Sequence, residues 1–149
     1  MNGSALFVVN LIATWYMVGL IWMVQIVHYN MFDRVGAGQF QQYEADHSRL
    51  ITPIVGLPML FELVTALLLI VTAPDSFPRW AAVLGVVLIV LIWLSTVLLQ
   101  IPYHSRLLNG FDEATYRQLV SSNWIRTILW TARGGLMAYY AAIAMKGCS

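Results

Sequence analysis

The stretch ALFVVNLIATWYMVGLIWMVQIV, residues 5–27, contains no charged side chain. A helix needs about 20 mostly apolar residues to cross a hydrocarbon core about 30 Å thick, and this stretch is long enough. It lacks the basic start of a secretory signal, and it ends near Gln25 and His28 instead of at small residues. We therefore expect residues 5–27 to be retained as a membrane span.

Three further apolar stretches follow, at residues 51–73, 80–101 and 124–145. The chain is 60% hydrophobic and only 10% charged, whereas soluble domains carry about 25% charged residues. Prolines and an aspartate in residues 74–79 predict a sharp turn between the second and third stretches. The sequence thus predicts an all-α integral membrane protein, a single domain over residues 1–149 folded as an antiparallel four-helix transmembrane bundle.

The charge balance excludes one class of partner. Eight Lys and Arg residues oppose seven Asp and Glu, which leaves a net charge of +1 and no basic surface for a nucleic acid. The single cysteine, Cys148, excludes an internal disulfide and a thiolate metal cluster. Membrane lipid is the partner that the composition itself predicts.

The two longer connections lie on one side of the predicted bundle, and residues 39–50 and 113–121 within them are expected to form short interfacial helices. Asp112 is a suitable N-cap for the second of these helices. Short loops rich in arginine usually stay in the cytoplasm, so we expect both termini to face outward from a bacterial inner membrane. The basic residues on this side are Arg34, Arg49, Arg106, Arg117 and Arg126, against Arg79 and Lys146 on the other.

The two halves of the chain share one plan: a span, a polar exit, an interfacial helix and a second span. Gln25-Ile26 and Gln100-Ile101 match at a constant offset, as do Thr52 and Thr127. Two tandem helix-hairpin repeats and a chance match are both compatible with this pattern.

All three histidines, His28, His47 and His104, fall on the same side of the membrane. Glu44 and His47 have the Glu-x-x-His spacing that places a carboxylate beside an imidazole on one helix face. These four residues are the predicted catalytic groups, and they are also the predicted ligands of a transition metal, iron or copper. Two alternatives remain open: a proton relay, and haem b held between His28 and His104.

A second group of polar residues predicts a place for the substrate. Gln25 and Gln100 lie near the histidines on their spans. Arg126 lies one turn into the last span, three residues after Asn123. An arginine in this position either extends to the interface or binds an anionic headgroup or the oxygen of a quinone-like ligand. The predicted substrate-binding residues are Gln25, Gln100, Asn123, Trp124 and Arg126.

Two charges are expected deep in the membrane. At 1.5 Å per residue, Glu62 lies about 16 Å and Arg133 about 13 Å from the arginine-rich side. A lone charge at such depth costs several kcal/mol, so the matching depths predict a buried Glu62–Arg133 ion pair. A structural role and a functional role are both open for this pair.

The segment Asn123-Trp124-Ile125-Arg126-Thr127, which opens the last span, resembles the close of the small anthrone-oxygenase-like membrane proteins. These proteins are similar in length and span number, and they also carry a histidine where the first span ends, as His28 does here. The resemblance implies oxidation of a lipophilic aromatic or quinone-type substrate, with His28, His104, Asn123 and Arg126 as the positions to test. The alternative is a non-catalytic accessory subunit of a larger membrane complex or homo-oligomer that binds lipid, pigment or haem.

Overall fold

The computed structural model describes residues 2–146, and within this range the chain is helical and contains no β-strand. Asn2 caps the first helix, because its side-chain oxygen accepts a hydrogen bond from the backbone N–H of Ala5 at 2.8 Å. The α-helices are α1 (Gly3–Met23), α2 (Phe40–Thr72), α3 (Arg79–Ser95), α4 (Ile101–Leu107) and α5 (Glu113–Lys146).

Two π-helical turns interrupt the regular helices on the side of the histidines. Helix α1 continues through a π-helical turn, Val24–His28, into a 3₁₀ segment, Tyr29–Arg34, and α3 continues through a π-helical turn, Thr96–Gln100, into α4. A π-helical turn contains more residues than an α-helical turn, so it rotates the side chains that follow it. Residues spaced three or four apart across these turns are therefore rotated relative to their positions in a regular α-helix.

Three helical stretches within residues 2–146 are long and apolar enough to cross a membrane: Gly3–Arg34, Phe40–Thr72 and Arg79–Leu107. They contain the spans predicted at residues 5–27 and 80–101, and all but the last residue of the span predicted at 51–73. Helix α5 is as long as these but more polar, and it is not among the three. The structure thus agrees with a membrane protein, while a fourth membrane passage at residues 124–145 stays a prediction.

Consecutive long helices run antiparallel. At one end of α2, His47 lies beside His28, and near the other end Thr65 accepts a hydrogen bond from Asn10 at 2.7 Å. Helix α1 is thereby aligned against α2 along most of its length. Helix α3 packs against α2, and α5 packs against both α3 and α1, which closes the arrangement.

Helix α5 approaches α1 closely at Gly134. A Cβ atom at this position would lie 3.0 Å from Cγ2 of Val18, so only glycine leaves the present spacing undisturbed. At the other end of this contact, Asn123 donates to the side chain of Gln25 at 2.8 Å. Close backbone approach through small residues is typical of helices packed in membranes.

The two predicted interfacial helices are the first turns of longer helices. Residues 40–50 run into the rest of α2 without a break, and residues 113–121 do the same in α5. Asp112 caps α5 as the sequence predicts: its carboxylate accepts from the backbone N–H of Thr115 at 2.8 Å. Hydrogen bonds from the side chain and backbone of Thr115 hold the pKa of Asp112 below its ordinary value.

Helix α2 contains two prolines, Pro53 and Pro58, in its interior. A proline lacks the N–H that would pair with the carbonyl four residues earlier, so Pro58 leaves the carbonyl of Ile54 without its helical donor. The hydroxyl of Tyr16 on α1 donates to that carbonyl at 3.5 Å. The gap in the α2 ladder is thus bridged by the neighbouring helix.

Candidate functional site

Three segments of the chain bring Tyr29, His104 and Glu44 into one hydrogen-bonded line. The hydroxyl of Tyr29 lies 3.0 Å from Nε2 of His104, and Nδ1 of His104 lies 2.6 Å from Oε1 of Glu44. A carboxylate only accepts, so Nδ1 of His104 carries a proton and donates it to Glu44. In the neutral ring Nε2 is then the acceptor, and the Tyr29 hydroxyl donates to it.

Glu44 is held firmly in this line. Its side chain is fully buried, and Ser48, one turn further along α2, donates to Oε1 at 3.2 Å. Its second oxygen, Oε2, is buried without a hydrogen-bond partner in the described part of the chain. A buried carboxylate that orients an imidazole is the arrangement by which catalytic triads fix the tautomer and stabilise the imidazolium form. We call Tyr29, His104 and Glu44 the relay.

His47 forms the second part of the cluster. Its Nδ1 lies 2.7 Å from Nε2 of His28, so one ring donates a hydrogen bond and the other accepts it. Its ring also packs against that of His104, with ring centroids 5.1 Å apart, and edge to face against the buried Phe32. Nε2 of His47 is buried and has no partner among residues 2–146.

An apolar cavity of about 470 Å³ adjoins the relay. Helix α2, the segment from α3 through α4, and the last turns of α1 form most of its wall. Thr52 and Ile101 are exposed and line it, so the cavity opens between α2 and α4. Ligand pockets typically have 300–1,000 Å³, apolar walls and a few polar groups, which is the composition found here. Its ionisable or aromatic polar groups are Tyr29, His47, Trp93, His104 and Arg126.

Arg126 reaches this cavity from α5. Its side chain is 5% exposed, and its Nε is buried without a hydrogen-bond partner. The guanidinium carbon lies 5.4 Å from the ring centre of Trp130, a cation–π geometry. No carboxylate of residues 2–146 forms an ion pair with Arg126. The predicted substrate-binding arginine is therefore a buried cation at the wall of an apolar cavity.

The other predicted substrate-binding residues mostly contact α5 instead. Gln25 donates to the carbonyl of Val120 at 3.2 Å and accepts from Asn123, and Gln100 donates to Ser122 at 3.1 Å. Of these amides only Gln100 also lines the cavity. Trp124 is half exposed and packs edge to face on Trp22, away from the cavity wall. The structure gives Gln25, Asn123 and Trp124 helix-packing contacts.

The structure brings together Glu62 and Arg133, whose matching depths predict a pair. Arg133 Nη1 lies 2.9 Å from Glu62 Oε1, and both side chains are 1% exposed. Trp130 donates to the second Glu62 oxygen at 3.0 Å. Both carboxylate oxygens are thus occupied, and the pair lies outside the cavity wall.

The remaining hydrogen bonds of Arg133 go to groups that the sequence interpretation did not assign. Nη2 donates to Asn10 at 2.7 Å, Nη1 donates to Thr14, and Nε donates to the carbonyl of Gly85 at 3.3 Å. With Glu62 on α2, the network ties together all four long helices. Asn10 and Thr14 are four residues apart within an uncharged span, so they lie on one helix face. This polar i, i+4 pair is the sequence pattern from which their place in the network could have been predicted.

The metal prediction is not supported. Within residues 2–146 no group of three or more His, Cys, Asp or Glu side chains is placed to hold a metal ion. Both nitrogens of His104 already take part in hydrogen bonds, and His28 and His47 bind each other. A haem between His28 and His104 does not fit either, since the His47 ring packs against both of theirs.

No protein-family model matches the chain, and no curated protein or solved structure is detectably similar to it.

Proposed function

We propose that the protein is a four-span membrane protein, with both termini outside and the relay at the cytoplasmic mouth of a bacterial inner membrane. Helix α5 provides the fourth passage in this proposal. It contacts the continuous helical segment from α3 to α4 between Ser122, which accepts from Gln100, and Tyr140, whose ring packs on Trp80. Its two buried arginines, Arg126 and Arg133, lie inside the bundle instead of facing lipid.

The topology is tested by cysteine labelling in a Cys148→Ser background. In sealed right-side-out vesicles, Asp75→Cys should react with a membrane-impermeant maleimide, while Gln41→Cys and Asn109→Cys should react only after the membrane is opened. The reason is that residues 41 and 109 both lie at the arginine-rich end of the helices. Labelling of residues 41 and 109 from opposite sides would contradict the proposed common mouth.

For the activity, we propose oxidation of a lipid-soluble aromatic compound, of the quinone or phenol type, by molecular oxygen. The observation that carries this proposal is the position of the relay on the wall of an apolar cavity. His104 can take the proton of Tyr29 while Tyr29 takes one from the substrate, and the Glu44 carboxylate stabilises the imidazolium that results.

The reaction can be written for a ring CH₂ group flanked by aromatic rings. The relay removes one proton, and the carbanion transfers an electron to O₂ and combines with it to give a peroxide at carbon. The peroxide takes a proton back from the relay. Loss of the second C–H proton, with cleavage of the O–O bond, gives a ketone and water. Overall, CH₂ and O₂ become C=O and H₂O.

This proposal is tested with purified protein in neutral detergent, with anthrone as the first substrate because of the resemblance at residues 123–127. We expect O₂ uptake with formation of the quinone absorbance. Val55→Trp should abolish both, since Val55 lines the cavity and an indole there fills it. Val97→Trp is the matched control: Val97 is exposed and does not line the cavity, so this variant should remain active.

The result that would overturn the oxygenase proposal is ligand binding without O₂ uptake for any carbon-acid or phenolic aromatic substrate. That outcome would favour the alternative, an accessory subunit that binds a lipophilic molecule without converting it. Equal activity of the Val55→Trp and Val97→Trp proteins would place the reaction outside this cavity.

A further inference from the structure

Besides Nε2 of His47, the cavity wall carries two buried N–H donors that nothing in residues 2–146 satisfies. One is Nε1 of Trp93 on α3, and the other is Nε of Arg126 on α5. Both residues line the cavity, and its wall is otherwise mostly apolar. A buried donor without an acceptor is costly, so these two groups define a place where a ligand is expected to supply acceptor oxygens.

The charge of Arg126 further restricts the chemical class of the ligand. A guanidinium stays protonated in proteins, so burial cannot be relieved by loss of the proton. The other buried arginine, Arg133, has an ion pair with Glu62 and three further acceptors. Arg126 has the Trp130 ring as its neighbour but pairs with no carboxylate of residues 2–146. A negative charge is therefore missing on the cavity side.

The shape of the guanidinium indicates the kind of anion. Nε–H and one Nη–H form a planar fork that matches two coplanar oxygens. The same fork pairs less well with an isolated alkoxide or a neutral ketone. A carboxylate has this shape, and an ionised hydroxyl next to a quinone carbonyl also presents two adjacent coplanar oxygens, one of which carries negative charge.

We propose that Arg126 binds the ligand as an organic anion, a lipophilic acid whose ionised group presents two coplanar oxygens, with Trp93 donating to one of them. This inference rests on the proposed function for the location of the ligand, but not on the oxidation. The relay then faces the part of the ligand that lies beyond the anionic group, because Tyr29 and His104 line the same cavity.

The test compares two probes that differ by one methyl group: 2-hydroxy-1,4-naphthoquinone, which ionises to such an anion, and 2-methoxy-1,4-naphthoquinone, which cannot. Binding is measured under nitrogen in neutral detergent, so turnover plays no part. We expect the hydroxy compound to bind the wild type at least about 10-fold more tightly, as an added charge-assisted pair is worth a factor of this order or more. Equal affinity for the two probes would overturn the proposal.

Variants of Arg126 test whether this residue causes the preference for the hydroxy compound. Arg126→Gln should abolish the preference for the hydroxy compound, and Arg126→Lys should keep part of it, because lysine retains the charge without the fork. Arg117→Gln, at an exposed arginine of the same helix, is the matched control and should leave the preference unchanged. A preference that survives in Arg126→Gln would also overturn the proposal.

A purely structural arginine is distinguished by stability. If Arg126 served to hold the fold, Arg126→Gln would lower the melting temperature. Since the charge is buried without an anion, we expect the ligand-free variant to melt at the same or a higher temperature than the wild type. A large loss of stability would contradict the inference, and the comparison of the two probes on the wild type decides the question without any variant.

The anion could also come from a phospholipid. To separate the sources, the binding measurement is repeated in nanodiscs of phosphatidylcholine and of phosphatidylglycerol. Unchanged affinity for the hydroxy compound supports a free acid as the ligand. A weaker affinity in phosphatidylglycerol that Arg126→Gln removes would assign the site to an anionic lipid headgroup and overturn the free-acid proposal. Absence of O₂ uptake, by contrast, would affect only the oxygenase.

Discussion

Arg133→Met should lower the free energy of unfolding by about 3–5 kcal/mol, because it leaves the Glu62 carboxylate buried without its cation. Both partners are 1% exposed, so water cannot replace the lost contact. The change also removes the donors that Asn10, Thr14 and the Gly85 carbonyl now use. Unfolding of the purified protein in mixed detergent micelles measures the loss.

A double variant separates the ion pair from ordinary packing. Glu62→Met combined with Arg133→Met should be less destabilised than Arg133→Met alone, because no unpaired charge remains. Arg117→Gln provides the surface control: it breaks the exposed Glu113–Arg117 pair, and exposed pairs contribute about 0–1 kcal/mol. If Arg133→Met lowers the free energy of unfolding no more than this control does, the pair is accessible to water. Its role would then be functional, in a hydrated site.

The Glu62–Arg133 pair was predictable because helices are regular rods. Depth along a rod follows from counting residues, and a hydrocarbon environment leaves a deep charge few partners. The helical class of the chain follows in the same way from composition. What the count does not give is rotation about the helix axis, and this is why Asn10 and Thr14 were not assigned to the network.

The sequence places the three histidines on one side of the membrane but does not show whether they meet in space. The structure joins His28 to His47 and His104 to Glu44. Their partners could not be predicted in the same way. The π-helical turns at Val24–His28 and Thr96–Gln100 change the rotation of the side chains there, and Gln25 and Gln100 both donate hydrogen bonds to groups of α5. Tyr29 was missed because a tyrosine at headgroup depth is ordinary until its neighbour is known.

The distinction between a metal site and a relay also lies beyond the sequence. Imidazoles and a carboxylate at one level serve either purpose, and the choice depends on where each ring nitrogen points. In this structure the nitrogens of His104 point at Tyr29 and Glu44, which uses both of them. Only the three-dimensional arrangement therefore favours proton transfer over metal binding.

Glu44→Gln should reduce turnover of the aromatic substrate by about 100- to 10,000-fold, the range that general acid–base groups contribute. The glutamine still accepts from His104 and Ser48, so the cluster keeps its geometry. It carries no charge, however, and cannot stabilise the imidazolium that forms when His104 takes the proton of Tyr29. Affinity for the substrate, measured without oxygen, should stay within a factor of about two, because the substitution removes stabilisation of the transition state and not of the bound substrate.

Three variants make this prediction specific. Asp46→Asn neutralises an exposed carboxylate two residues away on α2 and should leave turnover unchanged. Tyr29→Phe removes the group that meets the substrate and should lose as much as Glu44→Gln, while the double variant should lose little more, since residues that act as one unit are not additive. If Tyr29→Phe stays active while Glu44→Gln does not, His104 takes the substrate proton directly. If both stay active, the hydrogen-bonded line from Tyr29 to Glu44 has no part in the reaction.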